Sequence, residues 1–127
     1  MADQLLPSDA ELLILQALWE TPYSTVQQVH AWGEEVGKAV GYTTVLTQLQ
    51  RMHKKGMVVR ERRGRQHHYA AVYGRDETEA ALVARLSQTA FNGSTIRLAL
   101  KALGNETPDA DELEQLKQWL SAQKNQQ

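Results

Sequence analysis

Tyr42-Thr43-Thr44-Val45-Leu46-Thr47-Gln48-Leu49-Gln50-Arg51-Met52-His53-Lys54-Lys55-Gly56 reads as one helix with two unlike faces. Val45, Leu46, Leu49 and Met52 recur at i, i+1, i+4 and i+7, which at 3.6 residues per turn line a single apolar side. Thr43, Thr44, Thr47, Gln48, Arg51, Lys54 and Lys55 fall opposite them. Gly56 after two lysines is a helix stop, with cations beside the negative end of the helix dipole. The spacing therefore predicts a helix over 42–55, apolar on one side and polar to cationic on the other.

Upstream, Ser8-Asp9-Ala10-Glu11 has the form of a capping box. It opens a helix carrying Leu12, Ile14, Leu15, Leu18 and Trp19, which Thr21-Pro22 should close. Ser24 is the expected cap of a second helix with Val26, Val29, Gly33 and Val36 on one side, and residues 37–41 form a loop with two glycines. Downstream the period changes. Met57–Arg62 and Gln66–Tyr73 are short β-rich runs around Arg63-Gly64-Arg65, a hairpin with a basic tip. A helix over Arg75–Ala90 follows, with Leu82, Val83 and Leu86. Asn92-Gly93 breaks it, and Ser94 caps a helix bearing Ile96, Ala99, Leu100 and Leu103. Pro108 is expected in the first turn of a last helix, where its missing N–H costs nothing, ahead of Leu113, Leu116 and Leu120.

Three helices, a hairpin and further helices are the order of a winged helix-turn-helix. The expected fold is mainly α with a small β-hairpin wing: a winged-helix DNA-binding domain over residues 1–74 and a helical dimerisation domain over 75–127. In the first, Leu15, Leu18, Val29, Leu46, Leu49 and Val59 should close on one another. The second offers Leu82, Leu86, Ile96, Leu100, Leu103, Leu113, Leu116 and Leu120, too much apolar surface for three short helices to bury alone. A two-fold homodimer would bury it, and would set two recognition helices about 34 Å apart, one turn of DNA.

The formal net charge is −1, yet residues 38–75 hold nine Lys or Arg against Glu61 alone, a local +8. Segregated charge makes a positive field whatever the total. Residues 76–127 are acidic by three charges. With no cysteine, disulfides, thiolate metal sites and a cysteine nucleophile are excluded. Apolar runs stop at five residues, whereas a membrane span needs roughly 20, so no membrane partner is expected. Met1–Pro7 has neither a basic start nor an apolar core, which predicts no signal peptide and a cytoplasmic protein. The chain has no His-Glu-x-x-His, phosphate-binding loop, dinucleotide fingerprint or nucleophile elbow, so neither enzyme activity nor a cofactor is expected. Adjacent His67 and His68 would point to opposite sides of a strand, which argues against a metal site. Trp19, Trp32 and Trp119, in helical settings, read as core or interface.

A helix fits the major groove of duplex DNA and reads base edges best from its N-terminal residues. Tyr42, Thr43 and Thr44 stand there, with Thr47 and Gln48 one turn on. Lys38, Arg51, Lys54 and Lys55 suit phosphates, as do Arg62, Arg63 and Arg65 at the wing, which would reach the flanking backbone or minor groove. The rival is a winged helix used for protein–protein contacts without sequence-specific DNA binding. Eight net positive charges over the third helix and hairpin favour DNA.

Several stretches together resemble the penicillinase-repressor family, which includes the beta-lactamase, methicillin-resistance and copper-responsive repressors. They are 42–56, Leu12–Glu20, Thr25–His30, Gly64-Arg65 with Tyr69, and Asp111–Leu116. The resemblance implies a dimeric transcriptional repressor on a palindromic operator. It also implies relief through the tail, either by proteolysis under a membrane sensor or by copper on tail cysteines. This chain departs from both patterns. Lys101-Ala102 stands where the family's cleaved Asn-Phe pair would fall, and there is no cysteine. A sensor protease or another inducer thus stays an open partner.

Overall fold

A computed structural model describes residues 6–126; most of the stretch on which the signal-peptide expectation rests lies outside them. The elements are α1 (Asp9–Glu20), α2 (Val26–Glu35), α3 (Tyr42–Lys54), β1 (Val58–Arg63), β2 (Gln66–Ala71), α4 (Arg75–Ala90), α5 (Thr95–Leu103) and α6 (Ala110–Asn125).

Side-chain caps set several helix starts. The Ser8 hydroxyl accepts from the Glu11 N–H, and the Glu11 carboxylate accepts from the Ser8 N–H, closing the expected box on α1. For α2 the cap is Thr25, paired reciprocally with Gln28, and not Ser24. Ser24 is occupied elsewhere. Its N–H donates to the Tyr69 carbonyl at 3.1 Å, its carbonyl accepts from the Tyr69 N–H at 2.8 Å, and its hydroxyl donates to Thr21. A third box, Asp109 with Glu112, starts α6 and leaves Pro108 ahead of the cap rather than inside the first turn. At the other end of α3, Gly56 takes φ +81°, a left-handed bend that suits glycine.

The core gathers Ile14, Leu15 and Leu18 of α1, Val26 and Val29 of α2, and Val45, Leu49 and Met52 of α3, closed by Met57, Val58 and Tyr69. Leu46 and Trp32 pack half-buried at its edge. β1 and β2 pair antiparallel from Val58↔Ala71 to Arg63↔Gln66. Gly64 (φ +66°) and Arg65 make the two-residue connection, and a glycine in the first central position matches a type II′ turn. This register turns Val58 inward and leaves Val59, expected in the core, 45% exposed. On a pleated strand neighbouring side chains cannot share a face. The Trp19 indole N–H donates to the Tyr73 carbonyl at 3.0 Å, and the Arg75 guanidinium lies over the Trp19 ring at 5.1 Å.

The Lys55 ammonium donates to the Glu11 carboxylate at 2.7 Å and ties the end of α3 to the start of α1. Burial pushes the Glu11 carboxyl up. The hydrogen bonds from Lys55 and Ser8, with the Lys55 charge, outweigh it and hold the group below the usual glutamate range.

The chain divides within α4 into two compact units, one running to Val83 and one from Ala84. In the second, the Ser87 and Thr95 hydroxyls lie 3.3 Å apart, and Asn92 (φ +50°) and Gly93 (φ +81°) turn the chain into α5, capped by Ser94. Among its described residues no hydrophobic side chain is buried: Leu86, Ile96, Leu100, Leu103, Leu113, Trp119 and Leu120 are all exposed. The architecture is a winged helix, mainly helical with one two-stranded hairpin.

Leu49→Ala should cost about 2–5 kcal/mol in urea unfolding, as a buried leucine at the meeting of three helices, whereas Val59→Ala should cost less than about 1 kcal/mol. Glu11 gives a pH signature. A carboxyl with a depressed folded pKa stabilises above its unfolded value and loses that contribution as pH falls through the folded one. The stability gap between the natural chain and Glu11→Gln should be full above about 4.5, the ordinary glutamate value, and shrink below it in calorimetric scans.

Candidate nucleic-acid interface

The sequence of α3 dictates its orientation. With Val45, Leu49 and Met52 turned into the core, Thr43, Thr44, Gln50, Arg51 and Lys54 must face outward, and all five are exposed. Thr47 and Gln48 sit half-buried at the rim of this face. Gly41, the N-cap, supplies no side-chain acceptor, so the helix presents first-turn N–H groups and the positive end of its dipole at Tyr42–Thr44. Tyr42 is steadied from α2, its ring edge-on to His30 with centroids 6.1 Å apart. Lys38 is exposed in the loop before α3.

The expected phosphate ligands differ in how free they are. Lys38, Arg51, Lys54 and Arg65 have no ion pair among the described residues. Lys55 is held by Glu11, though its side chain remains 46% exposed. The wing arginines diverge. Arg62 donates to the Gly64 carbonyl at 3.1 Å, fastening the turn. Arg63 donates to Glu61 at 3.0 Å and lies over the Tyr23 ring at 5.2 Å. Arg65 turns to α3, where with Tyr42, Leu46, Gln50 and His67 it lines a groove of about 170 Å³.

Register separates the two wing histidines, as alternation on a strand requires. His67 stands opposite Arg62 and edge-on to Tyr69, centroids 6.4 Å apart, and its Nδ1 is buried without a hydrogen-bond partner. Partial removal from water, then the charges of Arg60, Arg62 and His53, hold its imidazole below the ordinary pKa. His68 points the other way, with Nδ1 2.8 Å from the Tyr23 carbonyl. A carbonyl only accepts, so that nitrogen carries the proton. Among the described residues no three His, Cys, Asp or Glu side chains lie close enough to hold a metal.

The structure adds Gln50 in the groove beside Arg65, Arg60 and His53 near enough to His67 to act on its charge, and Tyr23 on the other face of the wing. Gln50 was legible, lying two turns beyond Tyr42 on the side that meets the wing. Tyr23 was not, because its partners are 40 and 45 positions away in sequence. Of the apolar residues assigned to dimerisation, Leu82 and Leu116 are half-buried, Leu82 in the first unit, and the others lie exposed on α4, α5 and α6 of the second. Lys101-Ala102 lies exposed in the last turn of α5.

A family model described as penicillinase repressor matches residues 7–122. The protein named transcriptional regulator BlaI of Mycobacterium tuberculosis strain CDC 1551 / Oshkosh is 40% identical over 115 residues, spanning 89% of this chain and 81% of that one. The same protein of strain ATCC 25618 / H37Rv gives the same figures. Among solved structures, the complex structure of hsRosR-S4 shares the fold, with a TM-score of 0.50 at 21% identity over 94% of this chain and 90% of that one. With α3 and its wing placed as above and the match running from ahead of α1 into α6, the chain belongs to the penicillinase repressor family.

Proposed function

We propose that this protein is a cytoplasmic transcriptional repressor that binds a palindromic DNA operator as a homodimer. The observation that carries this is the outward face of α3. Thr43, Thr44, Arg51 and Lys54 stand there together, exposed and without an acidic partner among the described residues, beside an arginine-bearing wing. The name of the family and that of the mycobacterial relatives, a transcriptional regulator rather than an enzyme, support the same reading. No described helix is long and apolar enough to cross a membrane.

In this reading α3 enters the major groove. Tyr42, Thr43 and Thr44 read base edges with Thr47 and Gln48; a threonine hydroxyl serves donor or acceptor, its methyl meets thymine, and glutamine pairs with adenine. Lys38, Arg51, Lys54 and Lys55 take phosphates, and Arg62, Arg63 and Arg65 reach the backbone or minor groove beside them. Residues 1–74 serve DNA and 75–127 dimerisation, where a symmetry mate covers the exposed stripe of Ile96, Leu100 and Leu103 with Leu86, Leu113 and Leu120. Leu82 and Leu116, both half-buried, are assigned to the same dimerisation role. An inducer that unpairs the tails, a sensor protease or another signal, would release the operator without touching Thr43.

If each subunit meets three or four phosphates, anisotropy titrations of a duplex should give a log–log salt slope of roughly −5 to −7, and a slope near zero would leave a protein-interaction module instead. Thr43→Ala or Thr44→Ala should erode discrimination between operator and random duplex by about 1–3 kcal/mol, while Lys54→Ala should weaken both alike. Leu100→Asp should sediment as a folded monomer and bind the operator weakly, since the second half-site no longer adds through effective concentration.

A further inference from the structure

Tyr23 has φ +61°, a left-handed backbone that bulky aromatic residues rarely adopt and that persists where the surroundings enforce it. Pro22 precedes it and Ser24 follows, the latter pinned to Tyr69 by two backbone hydrogen bonds of 2.8 and 3.1 Å. From this bend Tyr23 turns both of its ends to the wing. Its ring lies 5.2 Å beneath the Arg63 guanidinium of β1, and its carbonyl accepts at 2.8 Å from His68 of β2. Glu61 holds the same guanidinium from the neighbouring position on that strand face. Cross-strand pairing sets Glu61, Arg63 and His68 on one face of the hairpin, and Arg60, Arg62, His67 and Tyr69 on the other. The second face meets α3 through the groove lined by Tyr42, Leu46 and Gln50. The first has Tyr23.

We infer that Tyr23 is the positioning residue of the wing, its ring and carbonyl gripping the hairpin on the face away from α3 and holding Arg63 in place for a DNA phosphate. The residue is 38% exposed and outside the hydrophobic core, so its task is to orient the hairpin rather than to fill the interior. A cation over an aromatic face is attracted without being neutralised, so the ring holds Arg63 in place while a phosphate has only the exposed Glu61 carboxylate to displace. The DNA part of this inference rests on the function proposed above. The grip on the wing does not.

Full-length protein, Tyr23→Phe and Tyr23→Gly separate orientation from stability. Glycine removes the ring and also relieves the left-handed backbone, so a residue serving stability alone and one serving orientation give different results. For Tyr23→Gly the expected outcome has three parts. The thermal midpoint is unchanged or raised. Amide order parameters over residues 63–66 fall from about 0.85 towards 0.6 or below in the free protein. Duplex binding weakens about fivefold or more, with Arg63→Ala adding little on top because the two act as one unit. Tyr23→Phe, keeping ring and carbonyl, should match the natural chain in all three. A wing tip as ordered in Tyr23→Gly as in the natural chain would overturn the inference, as would fully additive losses for Tyr23→Gly and Arg63→Ala. Should the natural chain fail to bind duplex, the function proposed above falls, while the order parameters still decide whether Tyr23 holds the wing.

Discussion

The Glu11 carboxylate lies almost wholly out of water, and a charge so placed must find partners or be driven neutral. Its partners come from opposite ends of the three-helix run from α1 to α3. One oxygen takes the Ser8 N–H that opens α1, and the other takes the Lys55 ammonium just past the last turn of α3. With Val45, Leu49 and Met52 rotated inward, this tie leaves α3 little freedom about its own axis, and the threonine face is what remains outside. Because Lys55 is itself half in solvent, screening limits what the pair adds to stability. What it adds is a direct link between the C-cap of α3 and the first turn of α1.

The wing depends on α3 in turn. β1 begins two residues beyond Gly56, and Met57 N–H and carbonyl are taken by Met52 and Val72, so the hairpin leaves the helix along a fixed line. Three arginines within four positions then find three surroundings: the turn carbonyl for Arg62, an aromatic ring and a carboxylate for Arg63, and the groove against α3 for Arg65. A run that composition records only as positive charge is resolved by register into separate tasks.

Local chemistry was readable and distant pairing was not. The Ser8–Glu11 box, the two faces of α3, the Gly56 stop and the basic hairpin tip each follow from residues within a few positions of one another, and each lies where spacing puts it. The misreadings share a cause. Ser24 looked like a cap until Tyr69, far along the chain, claimed its backbone. Val59 looked like core because a run of β-branched residues does not announce which of them faces in. Pro108 suited a first turn, and Asp109 suited the cap better. Which polar and cationic residue types lie exposed on α3 and the wing was legible from charge and period. Tyr23 and the Lys55–Glu11 tie depend on contacts across 40 or more positions, which no local pattern encodes.

β1 pairs with β2 alone among the described strands, so its outer edge is open, whereas that of β2 meets Ser24 at Tyr69. Such an edge offers unpaired N–H and C=O groups to any passing strand, and proteins blunt it with charge. Here Arg60, Glu61, Arg62 and Arg63 run along that edge directly after Val58-Val59. The arginines therefore protect: their charge opposes one molecule's hairpin adding to another's. A wing stripped of that charge would become a template for self-association, which limits the exchange of these arginines for neutral residues whatever else they do.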